Sequence, residues 1–123
     1  MSYIEKKNFR KTTRYIYNVD YRKKENENYE IITKVHYFRW DEEEGKFNKY
    51  YWDRNSFAKA LYEGSFSCYA GKDTEEKLIE VVEVIAYEQN NEYWIKTKQN
   101  ETIKDNFSFL EYAKNHGFAK LVK

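Results

Sequence analysis

From Thr12 the chain alternates. Tyr15, Tyr17, Val19 and Tyr21 recur with a two-residue period, and Arg14, Ile16, Asn18, Asp20 and Arg22 fill the positions between them, the pattern of a strand with two distinct faces. Glu25-Asn26-Glu27-Asn28 reads as a hairpin loop, after which YEIITKVHYFRW resumes a β-branched and aromatic run from Tyr29 to Trp40. Strict alternation puts Ile31, Thr33, Val35, Tyr37 and Arg39 on one face of this second strand and Ile32, Lys34, His36, Phe38 and Trp40 on the other. A turn, DEEEGK, in which Gly45 can adopt a positive φ, leads to a third strand from Phe47 to Trp52. The first eleven residues are polar and aperiodic, and predict a mobile arm or a short edge strand.

The period changes after Trp52. In DRNSFAKALYEGS, Phe57, Ala60 and Leu61 follow helical spacing, Asp53, Asn55 or Ser56 can cap the start, and Gly64 can end it. Ser65 to Ala70 reads as a short strand and Gly71-Lys72-Asp73 as a turn. The run DTEEKLIEVVEVIAYE fits two templates. Leu78, Ile79, Val82, Ile85 and Ala86 make a helical stripe with Asp73 and Glu76 as a capping pair, whereas the density of Val and Ile favours a strand. Gln89-Asn90-Asn91-Glu92 looks like a hairpin turn into YWIKTK, and a hairpin needs two strands, which decides for a strand from Leu78 to Glu88. A polar loop from Gln99 to Asn106 precedes a helical pattern from Ser108 to Asn115, ended by Gly117; Asp105-Asn106 suits a cap there. The predicted architecture is α+β, a single antiparallel, mostly meander sheet of five to six strands with one or two short helices. It forms one domain over residues 1–123, with 1–11 as a flexible arm.

The pieces IITKV, DEEEGK, SFAKALYEG, VVEVIAY, YWIKT and Asp105-Asn106 resemble, in this order, a family of small bacterial or phage domains of unknown function. The likeness runs from Ile31 to Tyr112 and places Thr97 at that family's threonine. It implies a strand, short helix, strand and hairpin order and assigns no chemistry.

Composition narrows the function classes. Thirteen Tyr, eight Phe and three Trp supply about half of the hydrophobic residues, and tyrosines, with an apolar ring and a hydroxyl that needs a partner, favour interfaces. Cys68 is alone and cannot form an internal disulfide, no signal-peptide-like leader stands at the start, and no apolar run nears the roughly 20 residues of a membrane span. The chain is read as cytoplasmic. The abundance of Lys, Glu, Asn, Ile and Tyr without any Pro looks like the usage of a low-GC bacterium or its phage, an association rather than a physical inference. A net charge of +1 hides a division: residues 1–39 hold ten Lys/Arg against five Asp/Glu, residues 40–92 six against thirteen, and residues 93–123 six against three. Such a chain can present a positive and a negative patch at once, which suits oriented docking.

Candidate chemistry is sparse. His36 and His116 have no Cys-rich or His-rich spacing around them, so neither a metal site nor a cofactor is expected. Cys68 has no recognisable base or orienting group and reads as a core residue; the four scattered glycines make no phosphate-binding loop. No catalytic residue is assigned. The stretch that stands out is cationic at its ends and aromatic between them: Lys6, Lys7, Arg10, Lys11, Arg14, Tyr15, Tyr17, Tyr21, Arg22, Lys23 and Lys24 form the predicted partner-binding set. Asp41, Glu42, Glu43 and Glu44 form an acidic patch able to imitate phosphate.

These features point to a non-enzymatic binding protein, in its most specific form a phage or mobile-element inhibitor that docks on a nucleic-acid-binding host defence nuclease, anti-CRISPR-like. The alternative is a small nucleic-acid-binding domain using the basic-aromatic strand, since cations along a backbone path and rings for base stacking are what single-strand binders combine. Self-association through tyrosines, giving a homodimer, is the third reading.

Overall fold

The computed structural model describes residues 2–24, 29–98 and 107–123. Over them run β1 (Tyr3–Glu5), a 3₁₀ turn (Lys6–Asn8), β2 (Thr13–Lys23), β3 (Glu30–Asp41), β4 (Lys46–Asp53), α1 (Arg54–Tyr62), β5 (Ser67–Asp73), β6 (Lys77–Gln89), β7 (Glu92–Thr97), α2 (Phe107–Asn115) and β8 (Ala119–Leu121). The predicted Glu25–Asn28 loop, the Gln99–Asn106 loop and the Asp105-Asn106 cap lie outside the described residues.

Local chemistry sets the short connections. At the β3–β4 turn Asp41 Oδ1 accepts the backbone N–H groups of Glu43 and Glu44, at 2.9 and 3.1 Å, and Gly45 takes φ +64°. Asn90 and Asn91, with φ of 55° and 64°, make the two-residue turn whose twist matches the β6–β7 hairpin. Asp53 caps α1, its Oδ2 accepting the Ser56 N–H at 2.8 Å, and frees Asn55 to accept the Tyr93 N–H at 2.7 Å. The long Val/Ile segment is a strand, as the hairpin argument requires.

The sheet is mixed rather than an antiparallel meander. Its order is β1-β6-β5-β2-β3-β4, with β7 added to β6 and β8 to β2. β2–β3, β3–β4, β5–β6, β6–β7 and β1–β6 are antiparallel, but β2 pairs in parallel with β5 through Thr13–Ile16 and with β8 through Val19–Tyr21. Turn residues announce hairpins between neighbours in the chain. They say nothing of a strand that returns after a helix to lie along β2, as β5 and β8 do; the strands beyond the expected five or six are the short β1 and β8.

Both faces of β2 are covered. Adjacent strand residues point to opposite sides, and Tyr15 packs with Phe9, Phe38, Leu78 and Val81 while Ile16 joins the larger core of Val19, Ile32, Val35, Phe57, Ile95, Phe109 and Leu110. The helices α1 and α2 cover the larger side, and the N-terminal segment with Phe9 covers part of the other. Two register shifts overturn the simple alternation. One falls between Ile16 and Asn18, so Val19 lies with Ile16 rather than with Tyr15; the other skips Thr33, so Ile32 shares the main core with Val35 and Tyr37. Gly71, expected in a turn, sits inside β5, where a Cβ would come 2.6 Å from the backbone oxygen of Ile79. The first residues form β1 against β6, with Tyr3 opposite Ile79.

Candidate binding surface

The predicted partner-binding set is dispersed by the fold. Tyr15 is only 2% exposed and stacks on Phe9 with centroids 3.8 Å apart, so its ring presents no face to a partner. Tyr21 packs against the main core under Lys114. Lys6 turns to Asp73 at 2.6 Å, Lys7 pairs with Glu5 at 3.3 Å, and the Arg10 backbone N–H donates to the Tyr15 hydroxyl. Arg14 and Arg22 stand eight positions apart along β2, about 26 Å at the rise of a β-strand. Arg22, Lys23 and Lys24 therefore belong to a different end, beside a groove of about 720 Å³ with Ile31, Leu121 and Lys123. The acidic patch is also divided. Asp41 is committed to its turn and to the Tyr50 hydroxyl at 2.9 Å, and these bonds, the Glu44 backbone N–H foremost, hold its carboxyl below the usual range. Glu44 bonds Asn48 at 2.7 Å, which leaves Glu42 and Glu43 pointing to solvent.

What the fold brings together instead is the side of β2, β3 and β4 beyond the Phe9 cover. Tyr17, His36 and Tyr51 line up across the three strands, with ring centroids 6.2 and 5.9 Å apart in sequence. Lys34 lies 4.6 Å over the Tyr51 ring and Lys49 4.9 Å over that of Tyr17. Asp20 Oδ1 is 3.2 Å from His36 Nε2, and Asp73 faces both Lys6 and Lys49. Tyr51 is 67% exposed. Of this group only Lys6 and Tyr17 were in the predicted set, although the alternation of Lys49 and Tyr51 in β4 against Lys34 and His36 in β3 is visible in the sequence once the two strands are paired.

A second feature lies where β2 begins. Lys11, Arg14, Arg39, Trp40, Glu42 and Phe66 line a cleft of about 270 Å³. Arg14 stacks on Phe66 with its guanidinium carbon 4.1 Å from the ring centre, and Lys11 sits 4.5 Å over Trp40. Burial, with the charge of Arg39 adding to it, pushes the Arg14 pKa down. Arg14 Nη1 and Trp40 Nε1 are buried without an acceptor among the described residues.

Cys68 is 1% exposed within the main core, and burial pushes its thiol pKa up, the reverse of what an activated nucleophile needs. No helix of the described residues is long and apolar enough to cross a membrane. No protein-family model matches the chain, and no curated protein or solved structure matches it either. The likeness between Ile31 and Tyr112 and a small bacterial domain family thus rests on short motifs alone.

Proposed function

We propose that the protein is a non-enzymatic binding protein that docks on a larger protein through the β2–β3–β4 face. The observation that carries this reading is the exposed Tyr51 ring, held on a rigid sheet between Lys34 and the His36–Asp20 pair. Tyrosine brings large contact area at little entropic cost, and buried aromatic anchors supply most of the energy of protein interfaces. The Lys49–Asp73 ion pair on this face contributes only about 0 to 1 kcal/mol and exchanges readily for a partner's charges. An inhibitor seated on a bacterial defence nuclease is the specific form of this reading that the sequence suggests.

Direct binding of single-stranded nucleic acid is the weaker reading. Stacking needs free ring faces. Here Lys34 covers one face of Tyr51 and Lys49 one face of Tyr17, and Asp20 and Asp73 bring phosphate-repelling negative charge to the same surface.

The test is capture from bacterial lysate by immobilised protein, before and after nuclease digestion, with a Tyr51→Ser variant of native circular dichroism beside the wild type. A partner that survives digestion and binds the variant at least about tenfold more weakly, the effect of about 1.4 kcal/mol, supports docking through this face. Equal capture by the variant, or loss of every partner on digestion, refutes it.

A further inference from the structure

The cleft at the start of β2 concentrates positive charge that the rest of the molecule leaves unused. Lys11, Arg14 and Arg39 make no ion pair among the described residues, and Glu42 stands exposed at its rim as the one carboxylate lining it. Arg14 reaches this position from the middle of the sheet with its flat face against Phe66, and Arg39 lies against Tyr50 at 4.8 Å. A guanidinium backed by a ring keeps its edge free, and that edge carries the parallel N–H donors that fit a carboxylate or phosphate fork. Arg14 Nη1 is buried without an acceptor, and such a donor is costly to leave so.

We infer that this cleft receives one carboxylate, an acidic side chain of the partner protein, against the Arg14 and Arg39 guanidinium groups, with Lys11 and Trp40 at the cleft's wall. Its size, about 270 Å³, falls below the range of about 300 to 1,000 Å³ that holds drug-sized ligands, and admits a single side chain. Two observations favour a protein carboxylate over a nucleic-acid phosphate. Phe66 is buried and Lys11 covers one face of Trp40, which leaves a base little ring to stack on. The four consecutive carboxylates Asp41 to Glu44 follow Trp40 directly and repel an extended polyanion, whereas a partner whose acidic residue is flanked by basic ones meets both signs.

This inference deepens the docking reading above and rests on it for the identity of the carboxylate's owner. It is tested without any partner. In ¹⁵N-labelled protein the Trp40 indole N–H resonance, assigned by its disappearance in Trp40→Phe, is followed during titration with a short peptide carrying one Glu flanked by Lys, the same peptide with Gln for Glu, and a ten-nucleotide oligothymidylate. The expected result is a saturable shift with the Glu peptide, absent with the Gln peptide and at least tenfold weaker in Arg39→Gln and in Lys11→Gln. Both variants change exposed residues, so the fold is retained. No shift at tens of millimolar peptide, an equal shift in Arg39→Gln, or tighter binding of the oligonucleotide overturns it. A positive titration with lysate capture indifferent to Tyr51→Ser removes the docking face and leaves the cleft; the opposite pair of results does the reverse.

Discussion

Arg54 is the residue whose loss the structure prices most clearly. It occupies the first turn of α1, where the helix dipole disfavours a cation, yet it is only 6% exposed. Its guanidinium lies 3.7 Å from the centre of the Trp94 ring, donates to the Ile32 carbonyl at 3.3 Å and to the Tyr93 carbonyl, and reaches Glu92 Oε1 at 3.2 Å. One side chain thereby ties α1, β3 and the β6–β7 hairpin together. Burial pushes its pKa down, and the hydrogen bond it donates to Glu92 acts against that shift without cancelling it. In Arg54→Met the aliphatic stem and part of the stacking on Trp94 survive, but two carbonyls lose a charged donor, each worth about 1.5 to 3 kcal/mol. The expected destabilisation is about 3 to 5 kcal/mol, most of the sum of those two charge-assisted bonds. Glu92→Gln changes a half-exposed partner and costs less than about 1 kcal/mol. Urea unfolding followed by tryptophan fluorescence and circular dichroism reads both. With m about 1 to 3 kcal/mol/M, the methionine variant unfolds at least about 1 M earlier. A loss below about 1 kcal/mol in Arg54→Met, or equal losses in the two variants, refutes the assignment of Arg54 as the tie.

Two further outcomes follow from local geometry. Asp53→Ala removes the α1 cap and lowers stability by about 1 kcal/mol in thermal unfolding. Desolvation raises the Asp53 pKa, but the Ser56 backbone and hydroxyl bonds outweigh it and the net shift is downward, so the cap's contribution is present above the unfolded carboxyl pKa of about 3.9 and is lost as pH falls through the folded value. The gap between wild type and Asp53→Ala therefore closes in acid, and a gap independent of pH contradicts the cap. Gly71→Ala forces a Cβ against the Ile79 backbone oxygen at 2.6 Å and the Leu78 side chain at 3.0 Å, where backbone must move. The expected cost is about 1 to 3 kcal/mol by chemical denaturation, and an alanine variant as stable as the wild type shows that the β5–β6 pair, whose register shifts between Ala70 and Lys72, relaxes freely there.

The parts of the fold that sequence makes legible are those whose cause is local. Asn90-Asn91 and Gly45 specify their turns, Asp53 and Gly64 bound α1, and the hairpin beyond Gln89 settles the strand nature of β6. Parallel pairing of β2 with β5 and β8 has no local signature, because its partners are separated by a helix and several strands. The candidate site suffers from the same limit. Lys11 and Arg14 are conspicuous in a cationic stretch, but Arg39 and Trp40 join them only through the β2–β3 register, and a one-residue bulge at Tyr17 splits the tyrosines that strict alternation had aligned. Arg54 looks like an ordinary solvated helix residue until β7 is folded against α1.

The lateral contact between Val19 and Ala119 also governs timing. It joins residues about a hundred positions apart, and such closures come late because their loop entropy has to be met before the pairing rewards it. During synthesis the middle of β2 emerges early and keeps a bare edge of amide groups until β8 has left the ribosome. For that interval the nascent molecule offers a template to any stray extended peptide, and its tendency to cluster is set by how long β8 takes to arrive.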